Sequence, residues 1–203
     1  MTIRAVLWDL GGVLLRTEDG SSRGQWEDRL GLPRGELARI VFDGEASLRA
    51  MIGEMTTEEL WTWVLERLGL QQTKRDLFVR DFFIGDQIDQ VLMDYIRSLR
   101  PARKTGMITN AWDTIRHYME TGWHIADAFD EVVISAEEHL AKPDARIYQL
   151  ALSRLGVQPQ ESVFVDDMEA NVRGAQAVGM HAIRFQSTPQ ILADLRALLG
   201  ETG

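Results

Sequence analysis

Residues 163–167 read Val163-Phe164-Val165-Asp166-Asp167, an unbroken apolar run that ends in two carboxylates. A short run of this kind is how a strand buried on both faces of a parallel sheet reads. Four more runs match it: Arg4–Trp8, Thr105–Thr109, Val132–Ile134 and His181–Phe185. Helical spacing fills the intervals. Ile88, Val91, Leu92, Tyr95, Ile96 and Leu99 share one face, and Ile147, Leu150, Ala151 and Leu155 share another before a stop at Gly156. Leu192, Leu195, Leu198 and Leu199 mark a closing helix. This alternation predicts an α/β fold with a Rossmann-like parallel sheet core.

Residues from about 20 to 84 break the pattern. Several helices are expected there and no strand. The clearest begins at Thr56, where Thr56 and Glu59 fit a capping box. Its apolar stripe runs Leu60, Trp61, Val64, Leu65 and Leu68, ending at Gly69. The expected organisation is a core of residues 1–18 and 85–203 with a small all-helical unit, 19–84, inserted after the first strand. Trp61, Trp63, Phe82 and Phe83 read as packing residues of that unit.

The 203 residues carry a net charge of −9, with 26% charged and 45% hydrophobic residues. That composition is globular, and the acidic balance argues against nucleic acid, whose binders need a basic stripe. No apolar run approaches the roughly 18 residues of a membrane span. There is no cysteine, which removes disulfides and thiolate chemistry and makes a cytoplasmic home the simplest expectation. The four histidines, His117, His124, His139 and His181, lack ligand or catalytic spacing.

Open α/β sheets bind ligands at the carboxyl ends of their strands, and four segments lie there. Asp9-Leu10-Gly11-Gly12 follows the first strand, a loop that exposes a carboxylate and frees backbone amides. Thr109-Asn110 offers a hydroxyl and amides suited to phosphate, or else an N-cap for a helix expected near Asp113–Met119. Lys142-Pro143-Asp144 places a lysine before a proline-initiated helix. Asp166-Asp167 closes the set; paired carboxylates there are costly unless a cation or partner groups compensate, and oxygen donors of this type suit Mg²⁺ rather than zinc.

Together these segments resemble the motifs of the haloacid dehalogenase-like (HAD) hydrolase superfamily, in the subfamily with a helical cap between the first two motifs. The resemblance implies a Mg²⁺-dependent phosphatase acting on a small phosphorylated metabolite through an aspartyl phosphate. Asp9 is then the nucleophile, and Lys142 its cationic partner. Thr109, the Asn110 amide and Lys142 hold the phosphoryl oxygens. Asp9, the Gly11 carbonyl and Asp167 ligate the metal, with Asp166 as a further ligand or support and Asn171 outside it.

One position departs from the pattern. Phosphatases of the family usually carry a second Asp two residues after the nucleophile, and this chain has Gly11. Glycine transfers no proton, so phosphates with good leaving groups are favoured: aryl or acyl phosphates, or anomeric sugar phosphates such as a hexose 1-phosphate. Two alternatives share the pattern, a 2-haloacid dehalogenase and a non-catalytic, phosphate-binding or regulatory relative.

Overall fold

The computed structural model describes residues 2–200. Its centre is strand β1 (Ala5–Trp8), all four residues buried. A short strand β2 (Leu15–Thr17) leads into five helices, α1 (Ser21–Leu30), α2 (Glu36–Phe42), α3 (Glu45–Met51), α4 (Thr57–Arg67) and α5 (Arg75–Phe83). Strand β3 (Asp86–Ile88) returns the chain to helix α6 (Gln90–Ser98) and strand β4 (Lys104–Thr109). Then follow α7 (Ile115–His117), β5 (Glu131–Ile134), α8 (Ser135–Glu138), α9 (Ala145–Leu155) and β6 (Ser162–Asp166). Helix α10 (Glu169–Ala177), strand β7 (His181–Arg184) and helix α11 (Thr188–Leu199) complete the chain.

The five long-range strands form one sheet in the order β5-β4-β1-β6-β7, and every pairing is parallel. Successive strand residues point to opposite faces. Val6 and Trp8 therefore pack with Leu92, Met93, Ile96, Ile191 and Leu195 of α6 and α11. Ala5 and Leu7 join Ile147, Tyr148, Ala151 and Leu155 of α9 on the other side. The expected α/β fold and its five apolar strands are present. Among the described residues no helix is long and apolar enough to cross a membrane.

Three local expectations change. Ile88 belongs to β3, paired with Leu15, and not to the following helix. Asp89 caps that helix by accepting from the Leu92 amide at 3.0 Å. The β2–β3 ribbon where the chain enters and leaves the insertion is only three residues wide, below the length at which alternation is legible. Near 113–119 the helix is short, Ile115–His117, and passes into a π turn at Tyr118–Gly122. Helix α9 is started by Asp144, which accepts from the Arg146 amide at 2.9 Å, and not by Pro143.

Helices α1 to α5 bury an apolar cluster of their own. The Thr56–Glu59 capping box forms as expected at the start of α4. The cluster also takes in Trp112, which belongs to the segment after β4. Its indole stacks on Phe42 at 5.9 Å, meets Trp61 edge-on at 5.7 Å and donates to Ser47 Oγ at 3.3 Å. One side chain thus ties the insertion to the sheet.

Trp112→Ala should lower the unfolding free energy by about 3–5 kcal/mol, the usual cost of emptying a buried tryptophan site. Urea titration measures it. A loss below about 0.5 kcal/mol, the size of an ordinary surface change, would show that this tie is not structural.

Candidate active site

The carboxyl ends of β1, β4 and β6 are neighbours in the sheet, so the residues just beyond them converge. Asp9 follows β1, and its amide continues the ladder to Val165 O at 2.8 Å. Its Oδ1 accepts from the Leu10 amide at 2.7 Å and lies 2.8 Å from Lys142 Nζ. The same ammonium donates to Asp166 Oδ2 at 2.7 Å. The Lys142 side chain is 1% exposed and sits over the Phe164 ring at 5.2 Å. A lysine this buried stays charged only when paired, and here two carboxylates pair it.

Asp166 is fully buried. Besides Lys142 it receives Asn171 Nδ2 at 3.1 Å on both oxygens and the Met168 amide at 2.8 Å on Oδ1. Four donor contacts fill the acceptor capacity of a carboxylate. Asp167 points the other way, into the cavity. It lies against Gly12, whose φ is +78°. A Cβ on Gly12 would stand 2.5 Å from Asp167 Oδ2, so only glycine leaves room for this carboxylate.

Oxygens of Asp9, Asp166 and Asp167 all fall within 4.8 Å of one another. Three carboxylates against one ammonium leave two negative charges in a largely dry site. Burial pushes the Asp9 carboxyl up from 3.8 to about 7, Lys142 opposing and Asp166 reinforcing. Burial and Asp166 also raise Asp167. An all-oxygen set with a surplus of two negative charges fits a hard divalent cation such as Mg²⁺.

Thr109, the last residue of β4, is buried and lines the same cavity as Asp9, Lys142, Asp167 and Asn171. Asn110 lines it too, but its side chain has another task. Asn110 Oδ1 accepts from the Lys142 amide at 2.8 Å, and Nδ2 donates to the Lys142 carbonyl at 2.9 Å. This two-way clamp fixes the backbone from which the lysine projects. Gly11 faces open space, with nothing within 4 Å of where a Cβ would stand. Asp166 does not line the cavity and lies beneath Lys142.

Sequence reasoning missed Ser135. It accepts from the Ala111 amide at 2.9 Å and donates to the Ala111 carbonyl at 3.2 Å, anchoring the loop after β4. The signal was a lone hydroxyl directly after the apolar strand ending at Ile134. The histidines stay out of the site: His139 bonds Ile52 O at 2.8 Å and His124 bonds Glu120 O at 3.0 Å.

The family model of the haloacid dehalogenase-like hydrolases matches residues 3–179. The chain belongs to this family. It is 34% identical to the sesquiterpene phosphatase astK of Aspergillus oryzae over 98% of each chain. Identity to the acyl-CoA dehydrogenase family member 10 of Mus musculus is 31% over 97% of this chain, which spans only 19% of that protein. Against the bifunctional epoxide hydrolase 2 of Sus scrofa the chain likewise spans 39% of the length. Among solved structures, a HAD family enzyme of Bacteroides thetaiotaomicron in complex with magnesium and inorganic phosphate shares the fold, with a TM-score of 0.74 and 23% identity. That match covers 92% of this chain and 96% of the other.

The raised Asp9 carboxyl has a measurable consequence without metal. Its folded value, about 7, lies above the ordinary 3.8, so between these pH values the folded chain holds a proton that the unfolded chain has released. Stability from this group is complete below pH 4 and is lost as pH rises towards 7. In excess chelator, the urea midpoint of the wild type should fall across that window. Asp9→Asn should flatten the fall, and an equally steep fall in the variant would contradict the assignment.

Proposed function

We propose that this hydrolase is a Mg²⁺-dependent phosphomonoesterase in which Asp9 attacks phosphorus to form an aspartyl phosphate that water then hydrolyses. The observation that carries the reading is Lys142, buried at the cavity floor between Asp9 and Asp166, with Asp167 opening on the same space. The names of relatives, among them a sesquiterpene phosphatase and a phosphoserine phosphatase, support phosphate-ester chemistry.

The chain's own residues divide the work. A carboxylate is a weak nucleophile, so the attack depends on lowering the repulsion between two anions. Lys142 does this at Asp9 Oδ1 while it reaches the incoming phosphoryl group. Asp166 pairs with the lysine and aims it, its own oxygens being fully engaged. It therefore supports the site from beneath, and direct ligation falls to Asp9, Asp167 and the Gly11 carbonyl. Bound there, Mg²⁺ supplies the positive charge that offsets the surplus carboxylates and the phosphate. Thr109 and the Asn110 amide position the phosphoryl oxygens.

In this reading the helical insertion, 19–84, acts as a cap over the core of 1–18 and 85–203, excluding water during turnover. A cysteine-free chain of this kind suits the cytoplasm. A dehalogenase attacks carbon and has no use for a metal-binding pair of carboxylates such as Asp9 and Asp167, which weighs against that alternative.

Hydrolysis of p-nitrophenyl phosphate with Mg²⁺ tests the proposal. Turnover should vanish with chelator and in Asp9→Asn. Equal release by wild type and variant would move the protein to the non-catalytic alternative. Gly11→Asp, for which the structure leaves room, should restore proton transfer and raise rates on alkyl phosphates by up to about 10²-fold. The gain on p-nitrophenyl phosphate should be much smaller, because nitrophenolate leaves without a proton. Equal gains on both would contradict the role given to the missing acid.

A further inference from the structure

The space above Asp9 and Asp167 is much larger than a phosphate needs. The cavity measures about 1400 Å³, against roughly 300–1,000 Å³ for common small-ligand sites. Its walls are aromatic: Phe42, Trp61 and Phe83 from the insertion, and Trp112, Tyr118 and Trp123 from the segment after β4. Three large apolar side chains that the fold leaves exposed also line it, Leu48, Ile84 and Met168 at 56, 63 and 56% exposure, and Tyr118 is itself 47% exposed. Scattered exposed apolar residues need no explanation, but their gathering around one cavity marks a site for an apolar ligand.

The polar residues of the lining support the same reading. Each of its arginines is already held by a carboxylate: Arg16 by Asp89 at 2.7 Å, Arg23 by Asp86 at 2.7 Å, Arg75 by Glu58 at 3.0 Å and Arg80 by Asp81 at 2.8 Å. Asp43 and Asp76 add negative charge. A second phosphate or a substrate carboxylate would meet no uncommitted arginine there. For a sugar, the hydrogen-bonding groups of the lining, such as Asp43, Thr57 and Asp76, are outweighed by apolar surface, so much of the hydroxyl set would go unpaired at a cost per group.

We infer that the cavity accepts the alcohol part of the phosphate ester and that this part is an extended or fused-ring hydrocarbon skeleton, not a sugar, an amino acid or a nucleoside. The inference rests on the phosphatase reading for its phosphate end and on the cavity walls for the rest. The phosphate sits among Asp9, Lys142 and Thr109, and the hydrocarbon lies between the insertion and the loop after β4. Specificity then arises from burial of apolar surface and grows with chain length until the cavity is filled.

The test uses 4-alkylphenyl phosphates with methyl, butyl and octyl chains, below micelle-forming concentration, beside glucose 1-phosphate and phosphoserine. The para chain hardly changes the acidity of the phenol, so chemistry is held constant while apolar length varies. With Mg²⁺ and wild-type protein, kcat/KM should rise about two- to fourfold per methylene, mostly through KM. Both polar substrates should rank below the methyl compound. Binding to Asp9→Asn, read by tryptophan fluorescence, should show the same slope without turnover. If wild type hydrolyses none of the compounds and the binding slope persists, the phosphatase reading fails while the assignment of the cavity stands. A flat slope in both assays, or preferred hydrolysis of a polar substrate, overturns the inference. So does an unchanged slope in the double variant Leu48→Glu/Ile84→Glu, which places charge on two exposed wall positions.

Discussion

Lys142 Nζ lies 2.8 Å from Asp9 and 2.7 Å from Asp166, in a place that water barely reaches. Much of the surrounding structure serves to make that arrangement tolerable. Asn110 clamps the lysine backbone from both sides. Asn171 and the Met168 amide fill what remains of Asp166. Gly12, lacking a side chain, leaves the room in which Asp167 turns towards the cavity. Removing one partner from such a buried set typically costs about 3–5 kcal/mol, because an uncompensated charge is left behind. Even complete, the set holds more negative than positive charge, which gives the site its demand for a cation.

The fold brings these groups together through parallel strand order. With β1 between β4 and β6, the residues after three strand ends share one edge, and the crossover to α9 adds the lysine. The insertion leaves the sheet just beyond Asp9 and is tied back by Trp112. One boundary thus carries both the charged floor and the aromatic walls. In the proposed reading, the charged part takes the phosphate that such substrates share, and the walls take the part that distinguishes them.

How much of this was legible in the sequence varies with the range of the interaction. The five strands could be read because each is a short, mainly apolar run, a property of its own residues, although β7 at the sheet edge is half-exposed. The capping box at Thr56 was legible for the same reason, its two partners being three residues apart. The β2–β3 ribbon was not, since three-residue strands carry no usable alternation and their pairing joins segments far apart in sequence. The convergence of Asp9, Lys142 and Asp167 was anticipated from four segments read together. The contrast between adjacent Asp166 and Asp167 was not, because it depends on which way each side chain turns at the end of β6. The side-chain role of Asn110 depends on a residue 32 positions away. Trp112 could not be assigned to the insertion from sequence, and neither could the apolar walls of the cavity, which come from separate segments meeting in space.

The most direct test of the charge argument is a calorimetric titration of the full chain with Mg²⁺ at pH 7, without any phosphate compound. The account predicts saturable binding of one ion per chain that is lost when Asp167 is replaced by Asn. Absence of binding to the wild type, or identical binding by the variant, would contradict it.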